Sequence, residues 1–208
     1  MSGPRIADVD YGIGNLRSAE KALQHLHADA ALTSDRHEID AAEAVVLPGV
    51  GAFGACMQAL RAAGLEAATK AAATDGRPFL GICIGMQLMA EHGREFETVE
   101  GLGWIAGEVV PIAPTDPALK IPHMGWNELI VRAEHPVLHG LKSGTHVYFV
   151  HGYHFRPGDA ADRLADTDYG GPLAAAVARD NLIGTQFHPE KSQMAGLRLI
   201  ANFLEWRP

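Results

Sequence analysis

The 208-residue sequence has little cysteine and no long apolar run. Its two cysteines, Cys56 and Cys83, are too few for a disulfide framework, so we expect free thiols in a reducing compartment. No uninterrupted apolar stretch approaches the roughly 20 residues that a membrane helix needs. Asp8 and Asp10 precede any apolar run, so we expect no secretory signal. These absences predict a cytoplasmic protein that does not bind membranes.

Positive charge is also in short supply. Lysine and arginine number 17 against 25 aspartates and glutamates, which gives a formal net charge of -8. This balance argues against a protein that binds nucleic acid. Hydrophobic residues make up 47% of the chain and charged residues 20%, a composition that excludes a disordered protein. At this length we expect one domain, spanning residues 1–208.

The order of the predicted elements indicates an α/β fold. The first half alternates short apolar strands with helical patterns, which predicts a mostly parallel central sheet flanked by helices. The second half predicts a region of antiparallel strands, a surface loop at 111–122 and a closing helix. The predicted strands cover 5–9, 44–47, 79–82, 104–112, 126–131, 146–150, 173–178 and 183–187; the predicted helices cover 15–26, 53–63 continuing to 73, 84–89 and 192–206.

Residues 49–54 read Gly-Val-Gly-Ala-Phe-Gly and match the G-x-G-x-x-G pattern of dinucleotide sites. The next predicted strand ends at Cys83 without the acidic residue that such a site needs, which counts against nucleotide binding. Two other interpretations remain open. The glycines can form tight turns at strand ends, or residues 48–51 can present backbone N–H groups to a developing anion.

The segment Gly81-Ile82-Cys83-Ile84-Gly85 lies between a predicted strand and a predicted helix. It has the spacing of the G-x-S-x-G nucleophile elbow, with cysteine in place of serine. Glycines two residues away on each side avoid a collision in the tight turn, and a helix N-terminus stabilises a thiolate. We predict that Cys83 is a nucleophile and that the Ile84 N–H stabilises an oxyanion. The alternative is a buried structural cysteine, which is the interpretation we prefer for Cys56.

A thiol nucleophile needs a base, and the base needs a group that orients it. His188 follows a predicted strand end, and Pro189 enforces an extended backbone after it. Glu190 then points the same way as His188, because side chains two apart in an extended chain share a direction. We therefore predict a triad of Cys83, His188 and Glu190. No histidine or cysteine cluster has metal-ligand spacing, so we expect no metal and no cofactor.

With these residues in place, the sequence resembles the class I glutamine amidotransferases. Residues 81–87 and 187–190 carry the likeness to the class. Residues 11–18 and 122–127 resemble, within that class, the glutaminase subunits of imidazole glycerol phosphate synthases. The likeness extends along nearly the whole chain, so it implies a single class I amidotransferase domain.

The resemblance implies hydrolysis of L-glutamine to glutamate and ammonia. Cys83 would attack the side-chain amide, His188 would give a proton to departing ammonia, and Glu190 would orient His188. The implied oxyanion hole comprises Gly49, Val50, Gly51 and Ile84, and the implied glutamine-binding residues are Gly51, Gln87, His151, Gly152 and Tyr153. Gly152 departs from the family, which usually has serine or threonine at this position, so the departure puts the role of a hydroxyl there in doubt.

The resemblance also implies a partner, a cyclase of the (β/α)8 type that forms a heterodimer with this chain. The cyclase would use the ammonia to make imidazole glycerol phosphate and an aminoimidazole carboxamide ribotide in histidine biosynthesis. The residues expected to face it are Asn15, Arg17, Met124, Trp126, Tyr148 and Lys191.

Three alternative functions compete with this interpretation. The first is a glutaminase that serves another pathway, against which residues 11–18 and 122–127 speak. The second is a non-catalytic binding module, which an intact triad argues against. The third is a cysteine protein that handles aldehydes or peptides, in which the base lies nearer the nucleophile in sequence.

Overall fold

The computed structural model describes residues 3–13 and 16–208. The strands in these residues are β1 Arg5–Val9, β2 Asp29–Thr33, β3 Ala44–Gly49, β4 Phe79–Cys83, β5 His92–Arg94, β6 Thr98–Glu100, β7 Gly107–Pro111, β8 His123–Glu128, β9 Ile130–Val131, β10 His146–His151, β11 Tyr153–Pro157, β12 Arg163–Asp168, β13 Pro172–Arg179 and β14 Leu182–Thr185. The α-helices are α1 Leu16–His25, α2 Arg36–Ala41, α3 Phe53–Ala62, α4 Glu66–Thr74, α5 Ile84–Leu88 and α6 Gln193–Glu205. Short 3-10 turns cover Pro136–Leu138, Ala160–Asp162 and Pro189–Lys191.

An eight-stranded mixed sheet forms the centre of the fold, in the order β2-β1-β3-β4-β14-β13-β12-β9. The strands from β2 to β14 in this order pair in parallel. The strands from β14 to β9 pair antiparallel. The predicted α/β fold, with a parallel sheet flanked by helices and an antiparallel region in the second half, is therefore confirmed.

Strands β3 and β4 are buried along their whole length. Continuous apolar runs such as residues 44–47 are typical of parallel strands that are covered on both faces. The register places Gly49 of β3 opposite Cys83 of β4, and Ile82 opposite Thr185 of β14. The carboxyl ends of these three strands thus meet at one edge of the sheet, where α/β proteins bind their ligands.

Two smaller sheets accompany the central one. Strands β8 and β10 form an antiparallel pair, and the other sheet has the order β11-β7-β5-β6. Within residues 3–13 and 16–208, no helix is long and apolar enough to cross a membrane.

Several predicted boundaries are wrong. The helix expected to continue to residue 73 is broken at Gly64, whose φ of 70° ends α3 before α4 begins. The strand expected at 126–131 divides into β8 and β9 on either side of the buried Leu129. The hairpin at 173–187 is confirmed, and its turn contains Asp180 with a φ of 51°. The sequence patterns do not predict strands β2, β5, β6, β11 and β12 or helix α2.

Candidate active site

Cys83 lies at the junction of β4 and α5, with no intervening loop. Its backbone has φ 55° and ψ -108°, in a region that residues with a side chain rarely adopt. Such a conformation costs on the order of 1–3 kcal/mol and persists only where the surrounding structure enforces it. The tight turn directs the chain from the buried strand into the helix and leaves Cys83 only 4% exposed.

The two glycines around Cys83 are required by close backbone approaches. A Cβ atom on Gly81 would lie 2.6 Å from the carbonyl carbon and oxygen of Gly85. A Cβ atom on Gly85 would lie 1.7 Å from the carbonyl oxygen of Leu47 in β3. The collision that the sequence predicts for larger residues at these positions is confirmed. Because both positions are glycine, α5 packs directly on β3.

His188 and Glu190 form a buried pair at the end of β14. Nδ1 of His188 lies 2.8 Å from Oε1 of Glu190, and the two side chains are 3% and 4% exposed. Ser192 fixes the backbone of this segment, since its hydroxyl donates to the His188 carbonyl at 2.7 Å and accepts from the Tyr148 N–H at 2.9 Å. The imidazole and the carboxylate lie side by side as predicted, but the predicted extended backbone is wrong, because Pro189–Lys191 form a 3-10 turn.

The protonation of His188 is set by opposing effects. Burial lowers the pKa of His188 from its ordinary value of 6.5. The hydrogen bonds and electrostatic interactions with Cys83 and Glu190 raise this pKa by more than burial lowers it, so that it reaches about 9. The interactions with Cys83 and Glu190 therefore outweigh the burial. His188 is consequently protonated at neutral pH, as a general acid must be.

A cavity of about 350 Å³ opens over Cys83 and His188. Larger cavities near residues 52–62 and 131–141 contain neither of these side chains. Glu190 lies outside the cavity wall, behind His188. The other predicted site residues that line the cavity are Val50, Gly51, Ile84, Gln87, His151, Gly152, Tyr153 and Lys191.

Gly49, the remaining predicted oxyanion residue, packs behind this wall. A Cβ atom there would lie 2.5 Å from the Tyr11 hydroxyl and 3.2 Å from the Gly85 N–H nitrogen. The Tyr11 hydroxyl donates to the Pro48 carbonyl at 2.8 Å, and the Cys56 thiol donates to the Val50 carbonyl at 3.3 Å. Strand residues 48–50 are thus held from behind by two buried side chains.

Cys56 differs from Cys83 in its surroundings. It is fully buried on α3, and burial raises the pKa of its thiol to about 11. A thiol with this pKa is protonated at neutral pH and is a poor nucleophile. These properties agree with the expectation that Cys56 is chemically inert.

Gln87 lines the cavity, and its side-chain amide is held by hydrogen bonds. Its Nε2 atom donates to the Tyr153 carbonyl at 3.0 Å and to Oε1 of Gln186 at 2.9 Å. Its Oε1 atom is buried and has no hydrogen-bond partner among the described residues.

The sequence patterns do not predict the site contacts of Glu95, Tyr11 and Gln186. Glu95 lines the cavity, its carboxylate accepts from the Phe53 N–H at 2.7 Å, and its carbonyl accepts from the Tyr153 hydroxyl at 3.2 Å. Tyr11 and Gln186 contact the strand and the nucleophile from behind. For Gln186 and Tyr11, the only signal in the sequence is a position next to a recognised motif. Gln186 directly precedes Phe187-His188, and Tyr11 opens the 11–18 stretch.

The residues expected to face a partner lie mainly on β8 and β10. Met124 and Trp126 are 62% and 46% exposed, and the Trp126 ring meets the Tyr148 ring edge-on at 6.0 Å. Arg17 is exposed, and Lys191 lies at the rim of the cavity. Asn15 lies outside the described residues. Within the part of the chain that is described, no group of histidine, cysteine, aspartate or glutamate residues could hold a metal ion.

Comparisons with known proteins place this fold and site in a class. The sequence model of the family described as "Glutamine amidotransferase class-I" matches residues 9–206. A solved structure of PurLQS from Thermotoga maritima contains a similar chain, with a TM-score of 0.75, 20% identity and coverage of 98% of both chains. Another structure, of a glutamine amidotransferase, has a TM-score of 0.74 and 23% identity and covers 96% of this chain and 97% of that one. The chain belongs to the class-I glutamine amidotransferase family and is an enzyme.

Curated relatives narrow the assignment. The imidazole glycerol phosphate synthase subunit HisH of Rhodospirillum rubrum is 57% identical, over 98% of this chain and 100% of the relative. The HisH subunit of Cereibacter sphaeroides is 58% identical, over 96% of this chain and 98% of the relative. Within the amidotransferase family the chain therefore groups with the HisH subunits, as the 11–18 and 122–127 stretches predict.

Proposed function

We propose that this chain hydrolyses glutamine through a triad of Cys83, His188 and Glu190 and delivers the ammonia to a cyclase. The observation that carries the proposal is the buried His188–Glu190 pair, at 2.8 Å, beside an elbow that presents Cys83 to the same cavity. The names of the HisH relatives support a cyclase that forms imidazole glycerol phosphate. Its other product would be an aminoimidazole carboxamide ribotide, in histidine biosynthesis.

The first step is attack of the Cys83 thiolate on the side-chain amide carbon of glutamine. A carbon–sulfur bond forms, and the amide oxygen becomes an oxyanion. The Ile84 N–H, in the first turn of α5, has no acceptor within that helix, and we assign it to this oxygen. A second N–H would come from residues 49–51, which run beside the elbow because Gly49 pairs with Cys83.

Collapse of the tetrahedral intermediate requires a proton for the departing nitrogen. Protonated His188 supplies it, so ammonia leaves and a glutamyl thioester remains on Cys83. The neutral His188 then removes a proton from water, and the hydroxide attacks the thioester. Glutamate leaves, and Cys83 and His188 return to the thiolate–imidazolium form. Glu190 holds the imidazole in one orientation throughout.

The substrate-binding groups follow from the cavity lining. Gln87 would form part of the wall against the glutamine side chain, and the Glu95 carboxylate would face its ammonium group. The backbone of Gly51 and of residues 151–153 would complete the site. A Cβ on Gly152 would meet only Ile121 at 3.6 Å, and the Gly152 carbonyl accepts from Ile112 at 3.0 Å. The backbone here is thus held without a side chain, so glutamine binding at this position would use main-chain atoms.

The partner in this proposal is a (β/α)8 cyclase that forms a heterodimer with the chain. The apolar face of β8 and β10 would meet it, together with charged groups nearer the cavity. The proposed contact residues are Asn15, Arg17, Met124, Trp126, Tyr148 and Lys191. One domain over residues 1–208 would carry the whole activity, in the cytoplasm, where Cys83 stays reduced.

Glutamate release tests the proposal directly. We expect slow release by the chain alone and a sharp rise when its cognate cyclase and the ribotide ligand are added. Rapid release that ignores the cyclase would assign the chain to another pathway. No release under either condition would favour the non-catalytic binding module.

The raised pKa of His188 predicts the alkaline limit of the reaction. The imidazolium persists up to a pKa of about 9 and is lost above it, so kcat/KM for glutamine should stay high to that pH and then fall. An unperturbed histidine would lose the acid form near pH 6.5 instead. The measurement is glutamate release by the complex from pH 6 to 10. Cyclase turnover with added ammonia over the same range serves as the control, and a decline centred near 6.5 would contradict the role of His188.

A further inference from the structure

Gln186 lies beside the sulfur of Cys83, in a position that the reaction described above leaves without a role. It follows the last residue of β14, and Thr185 pairs with Ile82 of β4, so Gln186 is level with Cys83 across the sheet. Its side-chain Nε2 atom donates to the Cys83 sulfur at 3.7 Å. The side chain is fully buried, so no water competes with this contact.

The orientation of the Gln186 amide is fixed by its other contact. Oε1 of Gln186 accepts from Nε2 of Gln87 at 2.9 Å, which turns the Gln186 NH₂ group towards the sulfur. Gln87 cannot be reversed, because the Tyr153 carbonyl that it also contacts at 3.0 Å can only accept. The direction of donation therefore runs from Gln87 to Gln186 and from Gln186 to Cys83.

His151 contacts the Tyr153 carbonyl directly, and His123 in turn contacts His151. Nδ1 of His151 donates to it at 2.8 Å, so the other ring nitrogen of His151 is free to accept from Nδ1 of His123 at 3.0 Å. Burial lowers the pKa of His151 to about 3 and that of His123 to about 4. Both rings are therefore neutral at pH 7. His151 thus keeps donating to the Tyr153 carbonyl, and His123 keeps donating to His151.

We propose that Gln186 is a further catalytic residue, whose side-chain N–H stabilises the thiolate of Cys83. The inference rests on the proposed nucleophilic role of Cys83. A thiolate is a stronger acceptor than a thiol, so a donor held against the sulfur favours the reactive form. Gln186 would donate a hydrogen bond to the sulfur, while protonated His188 would balance its negative charge before attack. The donor also keeps its position when the thioester forms, since its place is set by Gln87 and not by the substrate.

Alkylation of Cys83 by iodoacetamide in the full-length chain tests this role. Gln186→Met keeps the length of the side chain and removes the donor, so we expect about tenfold slower alkylation at pH 7. At pH 10 most thiols ionise without help, so the variant and the wild type should react at similar rates. A distorted elbow would instead slow the reaction at both pH values. Gln186→Glu, which keeps the acceptor for Gln87, should also be slow at pH 7.

Thr185→Val provides the matched control. Thr185 is the fully buried neighbour of Gln186, and its hydroxyl has no hydrogen-bond partner among the described residues. Its variant should alkylate at the wild-type rate, and Cys83→Ala supplies the background from Cys56. Wild-type alkylation of Gln186→Met at pH 7 would overturn the inference. This contrast does not require glutamine turnover, so an absence of glutamate release would overturn only the proposed function.

Discussion

Replacing Cys83 by alanine is expected to lower glutamate release by at least about 10³-fold in the complex with the cyclase. No other group of the site can form the covalent intermediate, since Cys56 is buried on α3 with a raised thiol pKa. Alanine keeps the Cβ atom, so the backbone strain at this position is the same in the variant and the wild type. The measurement is the initial rate of glutamate formation at saturating glutamine.

The ammonia-dependent reaction separates this loss from a loss of structure. The complex that carries Cys83→Ala should convert the ribotide at the wild-type rate when ammonium is supplied, because the cyclase needs only ammonia. Binding of the cyclase should also be unchanged, since Cys83 lies inside the cavity and is 4% exposed. Glutamate release that persists in the variant would show that the nucleophile is another residue.

Gly85→Ala is expected to lower the free energy of unfolding by about 3 kcal/mol or more. The new Cβ atom would lie 1.7 Å from the Leu47 carbonyl oxygen, so α5 must move away from β3. The atom that it meets belongs to a buried backbone strand and cannot rotate aside. Urea unfolding, followed by circular dichroism, measures the loss.

Gly152→Ala is the matched control for this prediction. Its Cβ would make an ordinary contact at 3.6 Å with a side chain, and we expect a change within about 1 kcal/mol. If both variants proved equally stable, the close packing of the elbow against β3 would be refuted. A movement of α5 should also slow alkylation of Cys83, because the sulfur lies at the first turn of that helix.

The parts of the site that could be predicted from the sequence are local in the chain. The spacing of Gly81, Cys83 and Gly85 describes a single turn, and His188 and Glu190 are two residues apart, although a 3-10 turn and not an extended backbone brings them together. Each of these geometries follows from a few consecutive dihedral angles, so short motifs are sufficient. Strands β3 and β4 were predictable for a related reason, because a continuous apolar run needs no knowledge of its neighbours.

The remaining features depend on contacts between distant segments. Gln186 reaches the sulfur only because β14 pairs with β4, and Glu95 meets Phe53 across 42 residues. Strand β2 is short and rich in alanine, and it owes its extended form to pairing with β1. No hydrophobic periodicity in residues 29–33 predicts this pairing. Tyr11 is similar, since its role depends on the approach of Gly49 from another strand.

The order of the strands along the chain has a consequence for the protein during its synthesis. Cys83 and its elbow leave the ribosome early, whereas Gln186 follows Cys83 by 103 residues and His188 comes later still. Until β14 joins the sheet beside β4, the nascent chain carries an ordinary thiol with neither donor nor base beside it. Under the proposed mechanism, the activated thiol would therefore arise only once β14 has joined the sheet, near the end of synthesis.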